Sequence, residues 1–590
     1  MKKALFAFLC VSFIGLGCLA QTIKAPYSTS KGNQTPTYKE VSNFYTLLQS
    51  NYTNIQIDSQ SYTSDVFENI LLIKLSKGSP EGKINVLINN GIHPGEPEGI
   101  DASMLLCADL LSSVNNKEEI NHSYFNNKYP SHKILYNILD YMNIYLIPVY
   151  NVDGALNRNS RSRVNQNGPV EYGFRANARN LDLNRDFIKL DTRNAQSFVK
   201  IFQKIKPHVF IDTHTSNGAD YQHVVTYIAT QRDKLNPIIS NFQYNTFIPP
   251  LNKTLSSYQF DAVPYVNAWS DSPDSGWAAF YESPRFATGY STLFNCIGFT
   301  LETHMLKPYP SRVEGSYAFL LTCLEICKSQ SSEIYKNKQL ADAAYLTQEE
   351  FPLNWKLDST RIKTIDFRGY AAAYKKSEVS GLDRLYYDRT KPFRKNVKYY
   401  EHYKANTITT KPKAYVIPYA WKEVVERLKL NDVEMSIIEK DTSLQVNVYY
   451  IDDYKTVQRP YEGHYLHSNV KLRTEQQKIL IRKGDYLVKT QQAACRFIIE
   501  TLEPQAIDSY FNWNFFDEVL AQKEYFSDYV FEDTAAALLN TNKELREKLE
   551  LKKQNDEKFA KSAALQLDFI YRNSPYFEKS YLRYPIYRLE

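Results

Sequence analysis

Four short apolar runs each end in a polar motif, and that repetition constrains the fold more than any other feature of the chain. Residues 84–89 (INVLIN) stop at Asn90-Gly91 and are followed at once by His93-Pro94-Gly95-Glu96. Residues 144–149 (IYLIPV) run into Asn151-Val152-Asp153-Gly154, residues 209–212 (VFID) deliver His214, and residues 298–301 (GFTL) deliver Glu302. Short β-branched apolar runs bounded by turn residues read as buried strands. Between them, residues 97–112 place Ile100, Met104, Leu105, Ala108 and Leu111 at helical spacing, so HPGE sits in a strand-to-helix turn. Alternation of buried strands and helices predicts an open α/β sheet, in which ligands bind beyond the carboxyl ends of the strands.

Taken singly, a histidine after a strand is more often a turn or core residue than a ligand. Here His93, Glu96, His214 and Glu302 all fall at such ends and together complete one site. Zinc used for hydrolysis is held by three side chains from His, Glu or Asp with a fourth position for water. His93, Glu96 and His214 supply that set. A carboxylate at the end of an apolar strand is costly to bury without a partner or a function, and Glu302 is the candidate to take a proton from water. The pattern reads as metal-assisted amide hydrolysis at one Zn2+ per chain.

Beside these stands the run 175–187, RANARNLDLNRDF. Taken with HPGE, IDTHTS and FTLETH, it resembles the zinc carboxypeptidases of the carboxypeptidase A type, in that family's own order, from about residue 30 to about 335. HPGE is similar to the family's HxxE motif, and the run from Arg175 to its arginine followed by GVDLNRNF, with Asn180-Leu181 standing where the family has Gly-Val. The resemblance implies an eight-stranded mixed sheet flanked by helices and hydrolysis of a peptide or peptide-like amide. It implies His93, Glu96 and His214 as zinc ligands and Glu302 as general base. It implies Arg175 as the oxyanion donor, a role worth on the order of 3 kcal/mol. Asn184 and Arg185 become the clamp on a terminal carboxylate, which a guanidinium fork meets at both oxygens. Asp182 becomes the acceptor that fixes the tautomer of His93. The family's substrate-covering tyrosine is matched here by Tyr290, for which core packing is an equal reading. Arg163, in the arginine-rich loop with Arg158 and Arg161, is the alternative oxyanion donor, and His304 is either a supporting group or a packed one.

At 590 residues the chain exceeds one ordinary core. We expect a signal peptide over 1–20, with Lys2 and Lys3 ahead of an apolar stretch and cleavage after Ala20. A catalytic domain is expected over 21–340 and an additional C-terminal α+β domain of unassigned role over 353–590. The leader implies an exported protein, periplasmic or secreted, with acylation at Cys18 a poorer fit. After cleavage the cysteines are Cys107, Cys296, Cys323, Cys327 and Cys495, too few and too odd for a disulfide framework. Cys323 and Cys327 read as buried thiols on one helix face. No later stretch predicts a transmembrane segment. The net charge of +6 is spread over the chain without a basic arm, which argues against nucleic acid.

In the C-terminal half, 329–352 reads as a polar transition. Residues 414–418, 444–451 and 486–489 read as strands, 421–430 as a helix, and 535–561 as a surface helix or hairpin. The aromatic zone 509–529 reads as core or interdomain contact before it reads as a carbohydrate or peptide groove. His464 and His467 lack a third ligand and read as structural.

The function these readings imply is that of a zinc metallocarboxypeptidase. The substrate would be a peptide or a peptidoglycan-derived peptide with a carboxylate beside the scissile bond. A murein peptide amidase of the same fold is the neighbouring alternative. A non-catalytic binding protein is the alternative of another class, and the intact set of site residues argues against it.

Overall fold

The computed structural model describes residues 24–590 except 31, 116–124, 126–127 and 270–271. The expected leader therefore lies outside the described residues. Among the described residues, nine strands precede residue 305: β1 (Ile55–Asp58), β2 (Leu72–Leu75), β3 (Ile84–Asn89), β4 (Met142–Ile147), β5 (Val209–Ser216), β6 (Val225–Ala229), β7 (Val263–Pro264), β8 (Trp277–Ala278) and β9 (Ile297–His304). All but β8 form one sheet of eight strands in the order β1-β2-β4-β3-β5-β9-β6-β7. The central strands β4, β3, β5 and β9 run parallel, while β1, β2 and β6 pair antiparallel to their neighbours on β2, β4 and β9. The sheet is mixed, as expected.

The four apolar runs are the four parallel strands, buried along almost their whole length because helices cover both faces. Helices Glu98–Val114 and Tyr309–Ser329 pack on one side, with Ile100, Met104, Leu320 and Leu321 in a single apolar cluster with β3 and β5. Helix Arg193–Ile205 lies in the other cluster, where Phe198 and Phe202 meet Phe210. Two glycines allow the close approaches. Gly91 turns the chain out of β3 with φ +67°, which L side chains rarely adopt. A Cβ on Gly99 would stand 2.0 Å from the Thr213 hydroxyl, so the helix after HPGE can lie hard against β5 only with glycine there.

Ten more strands follow: β10 (Glu350–Leu357), β11 (Lys363–Lys376), β12 (Asp383–Tyr400), β13 (Tyr403–Thr410), β14 (Ala414–Ile417), β15 (Ser436–Ile437), β16 (Thr442–Thr456), β17 (His467–Ile481), β18 (Tyr486–Lys489) and β19 (Tyr587–Leu589). They make a pair β10-β13, a sheet β11-β12-β8 and a six-stranded sheet β15-β18-β14-β19-β16-β17. The segment expected as a polar transition is instead a helix, Ser331–Thr347, which buries only the narrow stripe Ile334, Ala341 and Tyr345. So thin an apolar stripe gives little periodic signal. The surface helix or hairpin expected over 535–561 is a pair of helices, Asp528–Thr541 and Lys543–Asn555, closed over Phe531, Leu545 and Leu549 by a third, Ala563–Arg572.

The C-terminal strands are tied to the first sheet's loops. Tyr399 and Tyr400 of β12 pair with Trp277 and Ala278 of β8, and one apolar cluster contains Phe187 and Phe198 together with Tyr415, Phe497 and Trp513. Tyr510, Phe511, Trp513 and Phe516 of the aromatic zone are fully buried in that cluster. No helix among the described residues is long and apolar enough to cross a membrane. The five cysteines of the described residues are buried and free.

Candidate active site

The site lies where β3, β5 and β9 end. His93 and Glu96 occupy the turn before helix Glu98–Val114, and His214 and Glu302 face each other across the β5–β9 ladder. The parallel register that pairs Asp212 with Thr300 also pairs His214 with Glu302. Among the described residues, His93, Glu96 and His214 form a cluster of buried metal-ligating side chains whose donor atoms all lie within 4.8 Å of one another.

Each histidine is oriented from its far side. His93 Nε2 donates to Asp182 Oδ1 at 3.0 Å, and His214 Nε2 to Asp212 Oδ2 at 2.6 Å. A carboxylate can only accept, so both rings carry their proton on Nε2 and turn Nδ1 inward. The two Nδ1 atoms stand 3.2 Å apart, and each is 3.3 Å from a Glu96 oxygen. Two inward lone pairs beside a carboxylate call for a cation between them. Burial opposes a charge on His214, yet the carboxylates of Asp212 and Glu96 outweigh it and raise its pKa well above the ordinary value. This pocket is built around positive charge, and a His-Glu-His set of nitrogen and oxygen donors fits Zn2+.

Glu302 sits beside this set with its Oε2 buried and without a hydrogen-bond partner. Burial pushes its carboxyl up to about 8; His214 opposes this and the carboxylates of Glu96 and Glu282 add to it. A cation at the donor set lowers that value and favours the ionised form.

Both arginines considered for the oxyanion reach Glu96. Arg163 Nη1 donates to Glu96 Oε1 at 2.8 Å, its Nη2 to the Thr215 carbonyl at 2.9 Å and its Nε to Gln166 at 2.6 Å, and only 14 % of its side chain is exposed. Arg175 pairs with Asp182 at 2.8 Å and lies 3.4 Å from Glu96, but its side chain is 44 % exposed to the cleft. Asn184 and Arg185 line the same cleft of about 460 Å³, with Arg185 stacked 4.4 Å over the Phe286 ring.

Tyr290 does not belong to this group. It is fully buried in helix Ala287–Thr292, its ring lies against Phe202 and Phe294, and its hydroxyl donates to Asn431 at 2.7 Å. The tyrosine that lines the cleft is Tyr265, beyond β7. His304 is a packed residue, edge-on to the Tyr221 ring at 4.6 Å. His464 and His467 pair with Asp191 and Asp517 at 2.8 and 2.9 Å, and neither belongs to the His93, Glu96 and His214 cluster. Glu282, another buried carboxylate in the cleft wall, escapes sequence reading because it stands in the motif-free stretch Phe280–Phe286.

A mixed α/β sheet with this donor set at the ends of its parallel strands defines a zinc hydrolase. Residues 67–217 match the family described as Zinc carboxypeptidase, a span that includes His93, Glu96 and His214 and stops short of Glu302. The chain carries a zinc carboxypeptidase domain; it is a metallopeptidase with Zn2+ as cofactor. Curated relatives are Carboxypeptidase 2 of Trichophyton rubrum, 21 % identical over 463 residues and covering 72 % of this chain and 73 % of the relative, and Carboxypeptidase 2 of Trichophyton tonsurans, 22 % identical over 462 residues with the same shares. Among solved structures, a metallo-carboxypeptidase from Pseudomonas aeruginosa aligns over 50 % of this chain and 69 % of its own, with 14 % identity and a TM-score of 0.36.

Proposed function

We propose that this protein is a zinc metallocarboxypeptidase that removes residues from peptides ending in a free carboxylate. The observation that supports it is the placement of Asn184 and Arg185 in the same cleft as the His93, Glu96 and His214 donor set and Glu302. His93, Glu96 and His214 would hold the zinc, which would supply Lewis acidity and a lowered pKa for water there. Glu302 accepts a proton from the attacking water at its carboxylate and returns it to the leaving amine. Arg175, held by Asp182 yet open to the cleft, stabilises the oxyanion. Asp182 and Asp212 keep both histidines in the tautomer whose Nδ1 carries a lone pair, which in His93 lies 3.2 Å from Arg175 Nη1. Arg185 binds the terminal carboxylate, and Asn184 shapes the turn by accepting from the Ala287 amide at 3.0 Å through Oδ1. The leader read over 1–20 supports export, and 21–340 is proposed as the catalytic unit, with 353–590 packed on it.

The test compares matched peptides with free and amidated ends, in wild type and Arg185→Ala. Losing a charge-assisted bidentate contact to the half-buried Arg185 costs on the order of 2 to 3 kcal/mol, roughly thirty- to a hundred-and-fifty-fold in rate. A preference of that size, erased in the variant while zinc is retained, is the expected outcome. Equal wild-type rates would assign the pair another task.

A further inference from the structure

The C-terminal half reaches the proposed carboxylate site through one tight turn. Strands β16 and β17 are joined by residues 457–466, whose tip is closed by reciprocal backbone hydrogen bonds between Tyr461 and His464, at 2.8 and 3.1 Å. Glu462 and Gly463 both have positive φ, +51° and +85°, as a two-residue hairpin turn requires. The tip is anchored on both flanks. His464 pairs with Asp191 at 2.8 Å. The Tyr461 ring stacks on Trp513, and the Arg285 guanidinium lies over both rings at 5.6 and 4.9 Å, fixed to Asp508 at 2.7 Å.

From this anchored tip two side chains point into the run 175–187. The Tyr461 hydroxyl accepts from Arg185 Nε at 3.0 Å, and Glu462 Oε2 accepts from the Asp182 backbone N–H at 2.8 Å. Arg185 is held from three sides: Tyr461 at Nε, the Asn184 carbonyl 2.8 Å from Nη1, and the Phe286 face. Nε and one Nη1 hydrogen are taken, so the donors left for a ligand are Nη2 and the second Nη1 hydrogen, which together still present the Nη1/Nη2 edge to a carboxylate.

We propose that Tyr461, on the C-terminal half, is a positioning residue for substrate binding: it fixes the rotation of Arg185 so that the Nη1/Nη2 fork faces the terminal carboxylate of the peptide, with Glu462 holding the Asp182 peptide beneath. This rests on the carboxylate-clamp reading above. A preorganised fork binds without losing side-chain freedom at the moment of binding, so the effect falls on substrate affinity.

Tyr461→Phe keeps the ring on Trp513 and removes only the hydroxyl. Steady-state kinetics on the free-ended and amidated peptides, with metal content and melting temperature measured alongside, should show the free-end preference reduced about tenfold, chiefly as a raised KM, which is the scale of one hydrogen bond to a charged group. In the double variant with Arg185→Ala, the second change should add nothing to the first. Full wild-type preference in Tyr461→Phe would overturn the assignment while leaving the clamp intact. A loss that persists on top of Arg185→Ala, or that falls equally on both peptides, would overturn it as a merely structural effect. No preference in the wild type would overturn the clamp reading itself.

Discussion

Asp212 and His214 lie two residues apart on β5 and so face the same way, with Asp212 Oδ2 2.6 Å from His214 Nε2. The other Asp212 oxygen accepts from Asn89 Nδ2 at 3.0 Å, so the last residue of β3 orients the carboxylate that orients the histidine. Asp212→Asn can replace the geometry but not the charge. We expect zinc affinity to fall about 10- to 100-fold, measured by competition with a chelator of known affinity. Undiminished affinity would show that His214 needs no such support.

Glu302→Gln should keep zinc and lose turnover by about two to four orders of magnitude, because the amide fits the same space and cannot accept a proton. Its Oε2 has no partner to lose, so the fold should not suffer from the change. Metal analysis and kcat on one preparation decide it. A variant with full zinc and full activity would mean another base.

Much of this site was legible because its residues sit beside strand ends, and buried strands announce themselves as apolar runs. His93, Glu96, His214 and Glu302 could be read together for that reason, and the D-x-H spacing of Asp212 and His214 carried a signal that went unread. What the sequence hid was brought in from a distance. Tyr461 and Glu462 lie some 280 residues from their partners Arg185 and Asp182 and belong to no motif. Of the two readings of Tyr290, the structure favours core packing, because Phe187, Phe202 and Phe294 enclose its ring. The helix Ser331–Thr347 was hidden by its polar face.

Stability should depend on pH through two buried acids of helix Glu98–Val114. Burial pushes Asp101 and Asp109 each up to about 7, against the opposing hydrogen bonds from the hydroxyls of Tyr309 and Tyr317. Their folded values lie above the unfolded value of about 3.9, so the folded state binds protons more tightly. Their contribution is fully present below that value and is lost as pH rises through about 7. Melting temperature should therefore fall as pH rises from about 4 to about 7 and level off above it, and Asp109→Asn should remove part of that slope. Parallel curves for variant and wild type across the interval would contradict it.

The last prediction concerns which terminal residue the cleft accepts. Glu282 is buried in the cleft wall, 3.4 Å from the Thr300 hydroxyl, and burial raises its carboxyl to about 8, with His214 and Arg185 pulling it down and Asp212 adding to the rise. A cationic side chain reaching this wall would gain a charge-assisted partner that an apolar side chain cannot use. Peptides ending in lysine or arginine should be preferred over those ending in leucine. Because the carboxyl ionises as pH rises through about 8, that preference should strengthen between pH 6 and 9. Glu282→Gln should reduce it about tenfold and abolish its pH dependence, since the amide does not titrate. The measurement is the ratio of kcat/KM for lysine- and leucine-ended peptides at each pH. A ratio unchanged by the substitution would assign Glu282 to the wall alone.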